Sequence, residues 1–322
     1  MAATIGNILA AFAICILLVG YVGNMLMIVA ILAFNHLRTR SNALLLSLAA
    51  SNLLFLVTVV PFFVVTYISD DWPYNHDYCV ITANLSFILI GVSLFHMTAI
   101  SMFRYFSIVF PSKKILRNKT SVFFMIVLSW AVPVVMPLAT AVAHWASASY
   151  SPLYSGCVLM KNENPKLFNF MVICGFGLPC ACTIAAYVRI YFAIKKFSQR
   201  VHLQSNQFVQ AAEPENGNND RSVEVHLSKF CGLIFIFFLI LYGPFALLNL
   251  IDSDGSYPKE AYMICTTLFW ASSSINPILY GLMSSHVRQA YRRIITPWKM
   301  PTPPVEILEP ISQPDNNTST PA

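Results

Sequence analysis

Seven long runs of apolar residues, almost free of charge, constrain this chain more than any other feature. They cover 7–34, 42–67, 78–103, 121–143, 167–194, 230–251 and 261–284, and only the fifth contains a formal charge, Arg189. A helix needs about 20 predominantly apolar residues to cross a bilayer. The chain is 57% hydrophobic and 11% charged, against about 25% charged residues in soluble domains. A water-soluble core cannot hide that much apolar surface, so part of the solvent is lipid. The fold class this predicts is an all-α membrane protein, a bundle of seven transmembrane helices. Short connections make consecutive helices antiparallel neighbours.

The basic residues orient the bundle. Lys and Arg accumulate in cytoplasmic loops. With the N-terminus outside, 17 of the 20 lie on the inner side, and Lys161, Lys166 and Lys259 are the outer ones. The net charge of +6 is thus a signal of topology, with some attraction to anionic membrane lipid, and not of nucleic-acid binding. The first run has no basic segment before it and is too long for a signal peptide, so it reads as an uncleaved first helix.

Of the eight cysteines, Cys15, Cys174, Cys180, Cys182, Cys231 and Cys265 lie inside predicted spans and act there as small apolar residues. Cys79 and Cys157 fall on the outer, oxidising side, where they can pair. That bridge would pin the second outer loop to the top of span three. The longest inner break, about 197–223, is polar and predicted to be mobile. After span seven, "SSHVRQAYRRIITPW" places Val287, Ala290, Tyr291 and Ile294 at helical spacing with arginines between them, an amphipathic eighth helix on the inner membrane surface. The expected organisation is a seven-helix unit with its amphipathic eighth helix over 1–296 and a disordered, Pro-rich cytoplasmic tail over 297–322.

The motifs within the runs are more specific. Span one has "YVGN" with Asn24, span two "LAASN" with Asn52, and the first outer loop "DWP". Span three opens at Cys79 and closes with "FRYFSIVFP". Span four has Trp130, and span five has Pro179 and Tyr187. Span six reads "FFLILYGPF" and span seven "NPILY". In order and placement this series resembles the rhodopsin-like (class A) family of G-protein-coupled receptors over nearly the whole chain. The resemblance implies a plasma-membrane receptor, not an enzyme and without a cofactor. It would bind an extracellular small molecule and activate a heterotrimeric G protein by outward movement of helix six, with arrestin as a further partner.

The same resemblance assigns roles. A lone arginine at the inner end of a span can simply snorkel to water. In this motif Arg104, with Tyr105 beside it, would be held off by an acid on helix six, where Glu224 lies 20 residues before Pro244. Tyr187 and Tyr280 would then swing in to hold the open state, with Asn276 and Pro277 of "NPILY" beside them. Phe238, Tyr242, Pro244 and Pro179 would transmit the change. Asn24, Asn52, Ser93 and Ser273 would form a polar core.

Three departures bear on these roles. The acid normally before the arginine is Phe103, the helix-two acid is Asn52, and the helix-six tryptophan is Tyr242. In the family the helix-two carboxylate binds sodium, and a neutral amide cannot supply that charge. The family's pocket positions correspond to Ser86, Phe87, Ile90, Met171, Cys174, Phe245, Asn249, Thr266 and Trp270. Ser86 stands where an amine receptor carries aspartate, and Trp270 where an opsin carries its retinal lysine. Such a pocket favours a neutral or weakly polar ligand. His96, mid-span, reads as a satisfied core group. A transporter or pump is the alternative class, but it needs ionisable groups along a midplane path, and His96 stands nearly alone there. No paired carboxylates, Ser/His dyad or zinc motif supports an intramembrane enzyme.

Overall fold

The computed structural model describes residues 2–142, 146–161, 169–170, 172–207, 216–252 and 255–296. Helices α1 (Ala2–Ala33), α2 (Arg40–Thr58), α3 (Val60–Ser69), α4 (His76–Val109) and α5 (Lys119–Val142) come first. A hairpin of β1 (Ala146–Ser151) and β2 (Gly156–Lys161) follows. Then come α6 (Leu178–Gln207), α7 (Asn216–Ile251), α8 (Lys259–Met283) and α9 (Ser285–Ile295). The bundle is the predicted one, with α2 and α3 forming the second span.

Six stretches among the described residues are long and apolar enough to cross a membrane: Thr4–Ala33, Arg40–Ser69, His76–Val109, Lys119–Leu138, Ile173–Lys196 and Cys231–Asn249. The run at 261–284, expected to be a seventh apolar span, is carried by the 25-residue α8, which is more polar than the others. Its polar residues point inward: Thr266, Thr267, Ser272, Ser273, Ser274 and Asn276 are all buried. Outward, α1 shows Phe12, Leu18 and Val22 exposed, as lipid-facing side chains should be.

Local chemistry sets the helix boundaries. Thr39 accepts from the Asn42 amide at 3.2 Å, Asn75 from Tyr78 at 3.1 Å and Ser284 from Val287 at 3.4 Å, each satisfying an otherwise orphaned N–H. The second span is not one helix, as its apolar run implied. It breaks at Val59, where Pro61 lacks the N–H and its ring crowds the preceding turn. The inner break is also shorter than 197–223, since α6 runs to Gln207 and α7 begins at Asn216. Its middle, 208–215, lies outside the described residues, as do Lys166 and the tail 297–322.

The helices approach through small residues, the usual device where lipid gives no hydrophobic drive between apolar faces. A Cβ on Gly20 would lie 2.3 Å from Ser274 Oγ, and one on Gly23 would lie 2.7 Å from Pro277. Ser274 Oγ donates to the Ile16 carbonyl at 2.8 Å, and Asn24 Nδ2 to Gly20 O at 2.8 Å and Ser273 O at 3.1 Å. The bonds of Ser274 to Ile16 and of Asn24 to Ser273 lock α1 to α8. In α9, Val287 and Ala290 are buried, and Tyr291 donates to the Pro277 carbonyl at 3.3 Å.

Cys79 and Cys157 are bridged, with Cα atoms 5.3 Å apart; the other six cysteines are free. The bridge holds the hairpin, in which Tyr150 faces Cys157 and Ser151 faces Gly156, over the end of the bundle that the expected orientation makes the outer one. Thr66 Oγ1 donates to the Ser155 carbonyl at 2.5 Å. Gly156 lies so close to the Phe63 ring that a Cβ would meet it at 2.0 Å. Replacing Cys157 by Ser should destabilise the protein by about 2–4 kcal/mol, seen as a lower melting temperature in detergent and lower surface expression. Peptide mapping that finds both thiols free in the unreduced protein would contradict the bridge.

Candidate functional site

The inner end of α4 carries the arginine of "FRYFSIVFP". Arg104 is buried, and its Nη2 donates to Ser41 Oγ at 2.6 Å across to α2. The guanidinium also lies 6.0 Å from the Phe103 ring centre. Ser41 was not legible as a partner; its only signal is a hydroxyl in the first turn of span two. Glu224 lies on α7, but its side chain, and hence its pairing with Arg104, lies outside the described residues. Tyr187 and Tyr280 border one small internal space with Cys231, and the Tyr280 hydroxyl is 3.9 Å from Cys231 Sγ. Tyr105 is turned away to the loop, edge-on to Phe110 at 5.6 Å.

The polar middle is neutral. Ser93 Oγ donates to Asn52 Oδ1 at 2.9 Å and lies 3.5 Å from Ser51 Oγ. Asn52 Nδ2 and both side-chain polar atoms of Asn276 are buried and meet no partner among the described residues. Two amides and serine hydroxyls carry no anion to offset a desolvated cation, so these residues do not fit a sodium ion. The melting temperature should respond alike to sodium chloride and to an equal concentration of a bulky organic chloride. Asn52→Asp should add a sodium-specific rise; a sodium-specific rise in the unaltered protein would contradict the reading.

His96 is fully buried and satisfied. Nδ1 lies 2.8 Å from the Val92 carbonyl, so it carries the proton. Nε2 then accepts from the Ser47 hydroxyl at 2.8 Å, and Ser47 Oγ accepts from Trp130 Nε1 at 3.0 Å. One serine therefore joins α2, α4 and α5. Ser47→Ala would strand a ring nitrogen and an indole N–H at a cost of about 1–3 kcal/mol. A melting temperature lowered by several degrees in detergent would bear this out, and an unchanged one would not.

At the outer end the hairpin reaches into the bundle. The Tyr154 hydroxyl donates to Asn249 Oδ1, and its ring stands edge-on to Tyr262 at 5.0 Å. Burial, with the charge of Asp252 adding to it, pushes the Tyr154 phenol up to about 12, so it remains a donor at physiological pH. Burial also raises the Asp252 carboxyl. The amides of Tyr257 and Ser256 and the hydroxyls of Tyr262 and Ser256 outweigh that and hold it well below the usual carboxylate range. Tyr154 sits three residues before the bridged Cys157; the bridge is the signal that could have placed it.

The predicted pocket residues divide. Phe245 and Asn249 gather around Tyr154. Trp270 packs away from them, against Phe63 at 5.0 Å and Tyr67 at 5.7 Å. Ser86 spends its proton on the Thr82 carbonyl at 2.8 Å. Thr266 is buried with no hydroxyl partner among the described residues. Phe87, Ile90 and Cys174 are half-buried, Cys174 in a π-helical turn, Ile173–Gly177, just before Pro179. Met171 lies outside the described residues.

From Tyr154 an aromatic column descends the bundle. Ring centres are 6.3 Å apart from Tyr154 to Phe245, 5.7 Å to Tyr242, 5.5 Å to Phe238, 6.3 Å to Phe235 and 6.2 Å to Tyr187. Phe176 stacks on Tyr242 at 4.3 Å from the side. The column joins the outer hairpin to the tyrosine that borders the inner cavity.

A bundle of this order, with a loop bridged to its third span and an arginine closing it, is the architecture of a seven-helix receptor. The sequence pattern of the family "7 transmembrane receptor (rhodopsin family)" matches residues 23–280, and the chain belongs to that family. It is 26% identical to human 5-hydroxytryptamine receptor 4, over 89% of this chain and 79% of that one. It is 26% identical to the Drosophila melanogaster protein trapped in endoderm-1, over 89% and 77%. To trace amine-associated receptor 13c of Danio rerio it is 27% identical, over 85% and 81%. Squid rhodopsin has the same fold, with a TM-score of 0.82 at 20% identity over 92% of this chain and 87% of that one.

Proposed function

We propose that this receptor sits in the plasma membrane with its N-terminus outside, binds a neutral or weakly polar small molecule, and activates heterotrimeric G proteins. Family membership supports receptor signalling. The neutral ligand rests on one observation: Ser86, in place of a carboxylate, bonds back to its own helix. In keeping with it, Asp252 already accepts from Ser256, Tyr257 and Tyr262. A second reading, a cationic amine, is favoured by relatives named for 5-hydroxytryptamine and trace amines. A G-protein activation assay over all subtypes, without ligand, with neutral compounds and with amines, separates the two. Activation by amines alone would overturn the neutral-ligand reading.

In the switch, a ligand displacing Tyr154 from Asn249 shifts Phe245 and the aromatic column below it. α7, which carries Pro244 inside the helix, swings outward at its inner end. Arg104 leaves Glu224, and Tyr187 and Tyr280, with Asn276 and Pro277 behind them, fill the opened space where the G protein, and later arrestin, docks. A two-state element biased from the outer end is what such signalling needs.

Phe103 stands where a second acid would restrain Arg104. Counted at the ~0.5–1 kcal/mol of a solvent-screened ion pair, a floor for a buried arginine, its lack raises the active-to-inactive ratio at least about two- to fivefold. Basal G-protein activation at matched surface expression should rise in Glu224→Ala and fall in Phe103→Asp. It should be largely lost in Arg104→Ala. Equal basal signalling in the Glu224 and Phe103 variants would refute this brake.

A further inference from the structure

Between α6 and α7, on the membrane-facing side, runs an apolar groove of about 630 Å³. Ile184, Val188 and Tyr191 form one wall and Ile236 and Leu239 the other; Val188 is 48% exposed and Ile236 52%, so the groove opens to lipid. Any acyl chain can cover such a surface. Three features select among lipids.

Lys195 and Lys229, one from each helix, line the groove at its inner end. Lys195 is the penultimate residue of the apolar stretch Ile173–Lys196, and Lys229 lies two residues before the stretch Cys231–Asn249 begins. Both therefore stand at the level of the headgroups. Ser228, also lining the groove, is completely buried, and its hydroxyl has no partner among the described residues. Finally, the α7 wall is cut back at Gly232, where a Cβ would stand 3.3 Å from the Tyr187 ring. The missing side chain lets the Tyr187 ring pack directly on α7 while it lines the groove.

We propose that this groove is a binding site for an anionic glycerophospholipid: one acyl chain lies between α6 and α7, and the phosphate meets Lys195, Lys229 and the Ser228 hydroxyl. Acyl chains match the apolar walls, and two cations with no carboxylate among the described lining residues match an anion. Because Tyr187 and α7 form part of the site, occupancy bears on the helix that moves in the proposed switch. Binding needs only that α6 and α7 cross a membrane. Assignment to the inner leaflet rests on the orientation proposed above.

The test uses the full chain in phosphatidylcholine nanodiscs doped with phosphatidylserine bearing a photoreactive group in one acyl chain, with adducts mapped by mass spectrometry. Adducts should concentrate in 184–195 and 228–239, severalfold above those from the same probe with a choline headgroup. Lys195→Gln with Lys229→Gln should abolish that preference, at about fivefold per lysine. Ile236→Trp should reduce groove adducts from both probes while leaving those on the outer face of α1 unchanged. Equal labelling by the two headgroups, or labelling indifferent to the lysine pair, would mean ordinary annular lipid and overturn the proposal. Because a nanodisc presents both leaflets, a reversed orientation would leave these results intact, so the two readings fail separately.

Discussion

Lipid offers the backbone no hydrogen-bond partner, and everything else in this molecule follows from that. Each segment that enters the hydrocarbon must satisfy its own N–H and C=O groups, so it must be helical. Apolar side chains then gain nothing by leaving lipid for one another, and they can point outward. What fixes the helices relative to one another is close approach at small residues and hydrogen bonds between buried polar groups. Gly20 and Gly23 against α8, Asn24 bonded to Ser273, and Ser47 between His96 and Trp130 are those devices here. α8, whose run is the most polar of the seven, keeps that polarity out of lipid by burying Thr266, Thr267, Ser272, Ser273, Ser274 and Asn276.

The same constraint explains what could be read from the sequence. Hydropathy reports which residues can live in lipid, so the spans and the inward-facing α9 pattern were legible. Cys79 and Cys157 stood out because topology placed them together on the oxidising side. The break at Val59 was hidden, since an apolar run looks the same whether one helix or two cross it; only Pro61 hinted otherwise. The hairpin was hidden too: "ASASYS" and "GCVLMK" carry little strand signal apart from the bridge that anchors them. Contacts between distant elements, Tyr154 with Asn249 and Arg104 with Ser41, depend on side-chain direction in the finished bundle. The pocket positions drawn from family resemblance were only partly brought together, because Trp270 turns to Phe63 and Tyr67 and the hairpin's Tyr154 takes the place beside Phe245 and Asn249.

The bundle is uneven in how firmly it is held. α4 is tied to α2 and α5 through Ser47, and to α6 through Thr98, which lies 3.0 Å from Thr183. α1 is tied to α8. Between α6 and α7, by contrast, a groove separates the inner halves, and on α7 the column Phe235–Phe238–Tyr242–Phe245 is built of ring contacts. Rings slide past one another more readily than a buried hydrogen-bond network rearranges, since no polar group is stranded on the way. Among the described residues the middle of α7 is thus held by ring contacts; it is the helix that the proposed switch requires to move, and it connects the Tyr154 hairpin to Tyr187.

The most direct measurement of that account is a distance between spin labels at the inner ends of α2 and α7, in the full chain reconstituted in nanodiscs. The account predicts a minor long-distance population in the receptor alone, which becomes dominant when nucleotide-free G protein is added and stays minor in Arg104→Ala. A single distance, unchanged by G protein, would contradict it.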